Sequence, residues 1–140
     1  MRMLILVLVV LMTGCAVKDT QVMSLIAQTA ERAPAGIDGE FVLNIKATGQ
    51  QGPRVYLNTE LDYRDRRNVT VVLTPEVARY FATTPKASPL EYFLNKRLRI
   101  KGTAKQVTIW FFKDGERSEK YYYQTHINID SHHQIEVLNH

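Results

Sequence analysis

Asn68-Val69-Thr70-Val71-Val72-Leu73-Thr74-Pro75-Glu76 decides how this chain folds. Five β-forming residues run into a threonine that can cap a helix, with proline at the first helical position. A strand therefore feeds directly into a helix, whose apolar stripe is Val77, Ala78 and Phe81. Ser88-Pro89-Leu90-Glu91 repeats the start signal as a capping box, followed by Tyr92, Phe93 and Leu94.

Toward the N-terminus, Phe41, Leu43, Ile45 and Ala47 alternate with Val42, Asn44, Lys46 and Thr48, which predicts a strand from Glu40 with one buried face. Gly49-Gln50-Gln51-Gly52-Pro53 reads as a loop. A second strand is expected over Arg54–Thr59 and the third over Asn68–Leu73, with a dense polar loop between them. Toward the C-terminus, a fourth strand starts near Arg97, with Leu98 and Ile100 inward and Arg99 and Lys101 outward. Gly102 offers a bulge in it, and it runs on to Phe112. Lys113-Asp114-Gly115-Glu116 is a hairpin signal. The return strand carries Tyr121, Tyr123, Thr125, Ile127 and Ile129 on one face and Tyr122, Gln124, His126, Asn128 and Asp130 on the other. A last strand is expected over Gln134–Leu138. Three strands, a helical segment and a long hairpin give the order of a five-stranded OB-fold-like Greek-key barrel, so the expected class is mainly β. A small mixed α+β sandwich is the alternative. The barrel is preferred because a chain that can form no disulfide gains from having no open sheet edge.

The first residues carry another signal. Arg2 precedes an apolar run from Met3 to Met12 that closes on Thr13, Gly14 and Cys15. The run is shorter than the roughly 20 residues a permanent transmembrane helix needs, and it reads as a signal peptide over residues 1–14. Leu11-Met12-Thr13-Gly14-Cys15 resembles the lipobox of bacterial lipoproteins, with Met12 where leucine is usual. The resemblance implies cleavage before Cys15 and its acylation, palmitate-type chains included. Several chains give stable anchoring where one is marginal. Cys15 is the only cysteine, which excludes an internal disulfide. Ala16 in place of aspartate implies, by the same resemblance, the outer membrane facing the periplasm. Residues 15–39 are then a lipidated tether with room for a short helix near Thr20–Arg32, and residues 40–140 the OB-fold-like domain. The chain holds 18 Lys plus Arg against 14 Asp plus Glu, and loss of Arg2 leaves it mildly basic. That balance permits an anionic partner without requiring one.

A second resemblance covers Phe41 to Leu138. It rests on the Val55-Tyr56-Leu57-Asn58-Thr59-Glu60-Leu61-Asp62-Tyr63-Arg64-Asp65-Arg66-Arg67-Asn68-Val69-Thr70-Val71 run, on Leu98-Arg99-Ile100-Lys101-Gly102-Thr103, and on Gln134-Ile135-Glu136-Val137-Leu138. Together these resemble a family of exported bacterial OB-fold lipoproteins. The resemblance implies a fold and carries no catalytic residues. The chain departs from it in its longer strands from about Lys105 to Gln124.

The residues offer several chemistries. Glu60, Asp62 and Asp65 together suit a hard cation, and with it a metal-dependent hydrolase, but Arg64, Arg66 and Arg67 offset their charge and favour a self-paired loop. Arg97, Arg99 and Lys101 share one side of the fourth strand, with Lys105 beyond, as in OB-folds that bind oligonucleotides with aromatic stacking; Trp110, Phe112 and Tyr122 are the candidate stacking rings. The consecutive Trp110, Phe111 and Phe112 fit a protein partner better. His126, His132, His133 and His140 lack metal-ligand spacing, so no metal or other cofactor is expected. No catalytic set stands out.

The expectation is a membrane-anchored, non-enzymatic binding module, an accessory lipoprotein of a cell-envelope assembly with an envelope protein partner. The candidate binding residues are Asn58, Glu60, Asp62, Tyr63, Arg64, Asp65, Arg67, Arg97, Arg99, Lys101 and Trp110, besides lipid on Cys15. An anionic-ligand or oligonucleotide binder and a metal-dependent hydrolase are the alternatives.

Overall fold

The computed structural model describes residues 16–83 and 87–138. The signal peptide, Cys15 and His140 lie outside the described residues. The elements in chain order are α1 (Val22–Glu31), β1 (Ile37–Asn44), β2 (Ala47–Gln51), β3 (Arg54–Asn58), β4 (Val69–Leu73), α2 (Pro75–Thr83), α3 (Pro89–Tyr92), β5 (Arg97–Lys113), β6 (Glu116–Ile129), a 3-10 turn at His132–Gln134, and β7 (Ile135–Leu138).

One seven-stranded sheet holds the fold together, in the order β1-β5-β6-β4-β3-β2, with β7 on β5. Ile45 and Lys46 link the strands at the two ends of that order. β2, β3 and β4 form an antiparallel meander, whereas β4 lies parallel to β6, with Thr70 beside His126. A parallel pair needs a long crossover, here α2, α3 and β5. β5 serves three partners: β1 along one edge over Arg97–Ala104, and β7 and then β6 along the other. Gly102 stands where β7 gives way to β6. A Cβ there would lie 3.2 Å from Ile127 Cγ2 and 3.4 Å from Gln134 Nε2, so any side chain would press on both neighbours.

The inward residues of every strand but β2 meet in one core, with Leu43, Ile45, Leu57, Val71, Leu98 and Ile127 at its centre. Helices α2 and α3 close one side of it. Thr74 accepts from the Val77 N–H (3.4 Å) and Val77, Ala78 and Phe81 are buried, as the cap and stripe predict. Phe93, just past α3, packs edge-on to Phe81 at 4.8 Å.

Several expectations need correction. Gly49–Gln51 is strand, and the turn is confined to Gly52 (φ 56) and Pro53. The first strand begins at Ile37, where its ladder with β5 starts, and Val42 is buried with its neighbours; Thr20 bonds the Val42 backbone in both directions. Ser88 makes no side-chain cap; its carbonyl accepts from Glu91 and Tyr92 instead. The short helix expected in the tether exists, but it is docked: Leu25 belongs to the core, and Val22 and Ile26 pack against it. Thr29 is also buried; it donates to the Ile26 carbonyl at 2.8 Å and so accepts from Thr125, 3.4 Å away. Residues before the helix are pinned as well. Asp19 receives Asn44 at 2.9 Å and Arg97 at 2.8 Å, and Arg97 also donates to the Val17 carbonyl at 2.5 Å.

Candidate functional site

Strand alternation on β3, β4 and β6 sends one set of side chains to the face opposite α1. Pairing then aligns them in a row, with Asn58 opposite Thr70 and Thr70 opposite His126. Two residues along, Tyr56 flanks Asn58, while Gln124 and Tyr122 follow His126 up β6 with Ile109 across from Tyr122. Tyr63 leans in from the loop between β3 and β4, and Gly49–Gln51 of β2 form the far wall. The result is a groove of about 540 Å³.

The floor of this groove is a network of buried polar groups. Asn68, 4% exposed, donates through Nδ2 to Asn58 Oδ1 (3.2 Å), Thr70 Oγ1 (2.9 Å) and the Tyr63 carbonyl (3.3 Å), and accepts the Glu60 N–H at 3.1 Å. The Thr70 hydroxyl in turn donates to Asn58 Oδ1 at 2.8 Å. With two donors on its oxygen, the Asn58 amide can have only one orientation. Its N–H groups therefore point into the groove, where they meet no acceptor among the described residues and stay open to solvent. Donors left open to solvent at a groove floor are available to a ligand's acceptor.

A second chain of bonds lines the β6 wall. His126 Nε2 lies 2.7 Å from Gln124 Oε1, and Gln124 Nε2 donates to the Tyr122 hydroxyl at 2.8 Å. An amide oxygen only accepts, so His126 carries its proton on Nε2 and offers Nδ1 as an acceptor. Burial lowers its pKa to about 4, so the ring is neutral at neutral pH. Among the described residues, no lysine, arginine or carboxylate lines the groove. It can hold an uncharged polar group between tyrosine faces, with Asn58 as donor and His126 as acceptor.

The structure disperses most of the residues that the sequence singles out. Asn58 and Tyr63 reach the groove; Arg64 sits at its rim, donating to the Tyr63 hydroxyl at 3.1 Å. The three loop carboxylates are engaged locally. Glu60 pairs with Lys46 at 3.1 Å, Asp62 caps the Arg64 N–H at 2.9 Å, and Asp65 takes the Arg67 side chain at 2.8 Å. The Arg67 guanidinium and N–H hold the Asp65 carboxyl at a pKa of about 2. Among the described residues, no three histidine, cysteine or acidic side chains cluster as metal ligands do. Arg97 is taken by Asp19 and Arg99 by Glu136 at 2.7 Å, and with Lys101 they lie away from the groove. Trp110 lies further up the β5–β6 hairpin beneath Arg117. His132 stacks on Tyr80 at 3.7 Å, with His133 beside it. Tyr56, Thr70, Gln124 and His126 are the groove residues that sequence reasoning missed as a set. The polar face of the return strand held part of the signal, but the partners across the sheet did not.

Among the described residues, no helix is long and apolar enough to cross a membrane. No family model and no curated protein matches the chain. Among solved structures, the chain is similar to aspartyl tRNA synthetase from Entamoeba histolytica, with a TM-score of 0.44 and 14% identity over 86% of this chain. The match spans 21% of that protein's length, and a likeness this faint fixes neither fold nor role.

Proposed function

We propose that this chain is a lipid-anchored, non-enzymatic binding module built on an OB-fold-like barrel, serving as an accessory of a cell-envelope assembly. The strand pairing supports the barrel. An antiparallel meander, a third strand parallel to the fifth, a fourth beside the first, and helix between the third and fourth form the OB-fold arrangement, if β1 and β2 count as one bent strand. The lipobox-like sequence at Leu11–Cys15 supports the anchor. The observation that carries the binding role is the groove. The Asn58 amide, open to solvent, and a neutral His126 lie in one row on either side of Thr70 in a cleft with tyrosines, an arrangement that suits recognition of an uncharged polar group.

A photo-crosslinking residue in place of Tyr63, in intact cells, tests this reading, with the same probe at Lys101 as the off-site control. A defined envelope protein captured only from position 63, and lost in Cys15→Ala, is the expected result. Equal capture from both positions would refute the groove. Mass analysis of the membrane fraction checks acylation of Cys15 separately.

One observation favours a second reading. Tyr56, Tyr63 and Tyr122 border the groove, with Arg64 at its rim, which suits stacked bases of a single strand. This reading predicts capture of nucleic acid at position 63 and an affinity that falls steeply with salt. The hydrolase alternative would need to free Glu60 and Asp65 from Lys46 and Arg67 first.

A further inference from the structure

Beyond Ala104 on β5 and before Thr125 on β6, neither strand has another neighbour, so residues 105–124 stand out from the sheet as a two-stranded arm. Five of its aromatic residues, Trp110, Phe111, Phe112, Tyr121 and Tyr123, are between 36% and 67% exposed. A two-stranded ribbon is marginal on its own in water, and exposed aromatic surface with charges around it is the composition of an interface. The charges at the end of the arm identify what covers it.

Residues 116 to 120 read Glu-Arg-Ser-Glu-Lys. Reversed, the same five residues place an opposite charge against every charge and serine against serine. None of the four charged side chains belongs to an ion pair among the described residues, although Arg117 stacks on Trp110 at 4.3 Å. The backbone is turned the right way as well. Asp114 (φ 53) and Gly115 (φ 78) form a two-residue turn between the paired Lys113 and Glu116. In such a hairpin the pair flanking the turn shares its hydrogen bonds, and the next pair, Phe112 and Arg117, does not. The N–H and carbonyl of Arg117 therefore face outward from β5. Between the pairs Phe112–Arg117 and Trp110–Tyr121 the register shifts, so Ser118, Glu119 and Lys120 lie opposite the single residue Phe111 and bow β6 away from β5; within this bulge the Ser118 hydroxyl donates to the Phe111 carbonyl at 2.8 Å and accepts the Lys120 N–H at 3.2 Å.

We propose that the outer edge of β6 pairs antiparallel with the same edge of a second copy of this chain, centred on Ser118. A two-fold axis there sets Arg117 against Glu119 of the other copy and Glu116 against Lys120, each pair formed twice. The same register brings Tyr121 beside the other copy's Gly115, where a Cβ would meet nothing within 4 Å and a ring has room. Tyr123 comes beside the other copy's Lys113, whose ammonium can lie over the ring. A strongly acidic or basic partner would satisfy only half of these charges, whereas a second copy matches all of them.

Sedimentation of the purified full-length chain in mild detergent tests the pairing. The wild type is expected to sediment as a dimer. Glu116→Lys alone or Lys120→Glu alone turns two attractive pairs repulsive and should weaken dimerisation by about tenfold or more, while the double variant restores it. Both substitutions are on exposed side chains, and circular dichroism confirms that each of the three variants is folded. A monomeric wild type, or single variants that dimerise unchanged, would overturn the proposal. Single variants that dissociate without rescue in the double variant would overturn the Ser118-centred register.

Discussion

Replacing Asn68 with alanine is expected to destabilise the fold by about 2–4 kcal/mol. Asn68 lies 4% exposed between β3 and β4, where its side chain makes three close hydrogen bonds, to Thr70 Oγ1 at 2.9 Å, from the Glu60 N–H at 3.1 Å and to Asn58 Oδ1 at 3.2 Å. At roughly 1 kcal/mol net per bond the sum is about 3 kcal/mol. The Glu60 N–H is only partly buried and regains water in the variant, which lowers the figure. Loss of the weaker 3.3 Å contact to the Tyr63 carbonyl raises it again. Asn68→Asp discriminates further, because it keeps the shape and puts an acceptor oxygen against the oxygens of Asn58 and the Tyr63 carbonyl, where the amide had donated. Its buried carboxyl should titrate above the ordinary carboxylate range. Such a group costs least at low pH, where it is protonated in both states, and costs more as pH rises through its folded pKa. Urea unfolding followed by circular dichroism at pH 4 and pH 7 measures both variants. A loss under 1 kcal/mol for Asn68→Ala at pH 7, or an Asn68→Asp penalty that shrinks as pH rises, would refute this account of the network.

His126 makes stability fall in mild acid. Its folded pKa of about 4 lies below the usual 6.5, so its contribution is fully present above pH 6.5 and is lost as pH drops toward 4, by roughly 3 kcal/mol at most. Comparing urea midpoints of the wild type and His126→Gln across that window isolates the effect, since the variant should lack this part of the slope. Leu25→Ala should cost about 2–4 kcal/mol, because the side chain is 5% exposed within the core. A change below 0.5 kcal/mol, by thermal or urea unfolding, would mean that α1 does not contribute to the folded body (threshold about the scatter of surface substitutions).

Strong local signals located most elements. The run Val69–Leu73 into Thr74-Pro75, and Lys113–Glu116 at the arm's turn, are decided by propensity, capping and turn chemistry, all of which act over a few residues. Ala47–Gln51 is different. Thr48-Gly49-Gln50-Gln51 has little intrinsic preference for strand, and it is one because β3 offers it a full ladder. Helix α1 reads as a tether because its docked face includes Thr29, a polar residue whose partner Thr125 lies 96 positions away. The groove was hidden for the same reason. Asn58, Thr70 and His126 form one row only through the register of β3, β4 and β6, and no spacing in the chain announces it. Arg97 and Arg99 misled because a basic alternation looks alike whether its charges are free or held by Asp19 and Glu136.

The parallel pairing of β4 with β6 governs how the chain can fold as it is made. Val69–Leu73 must wait for Thr125–Ile129, and Phe41–Leu43 for Leu98–Ile100, so both halves of the sheet are completed by its last long hairpin. Until then β1 and β4 hold apolar edges open to any other strand. Contacts this remote in sequence close slowly, on the order of milliseconds to seconds. A chain stopped anywhere before Ile129 is therefore a sticky intermediate rather than a smaller protein, and acquisition of the native state belongs to the period after synthesis.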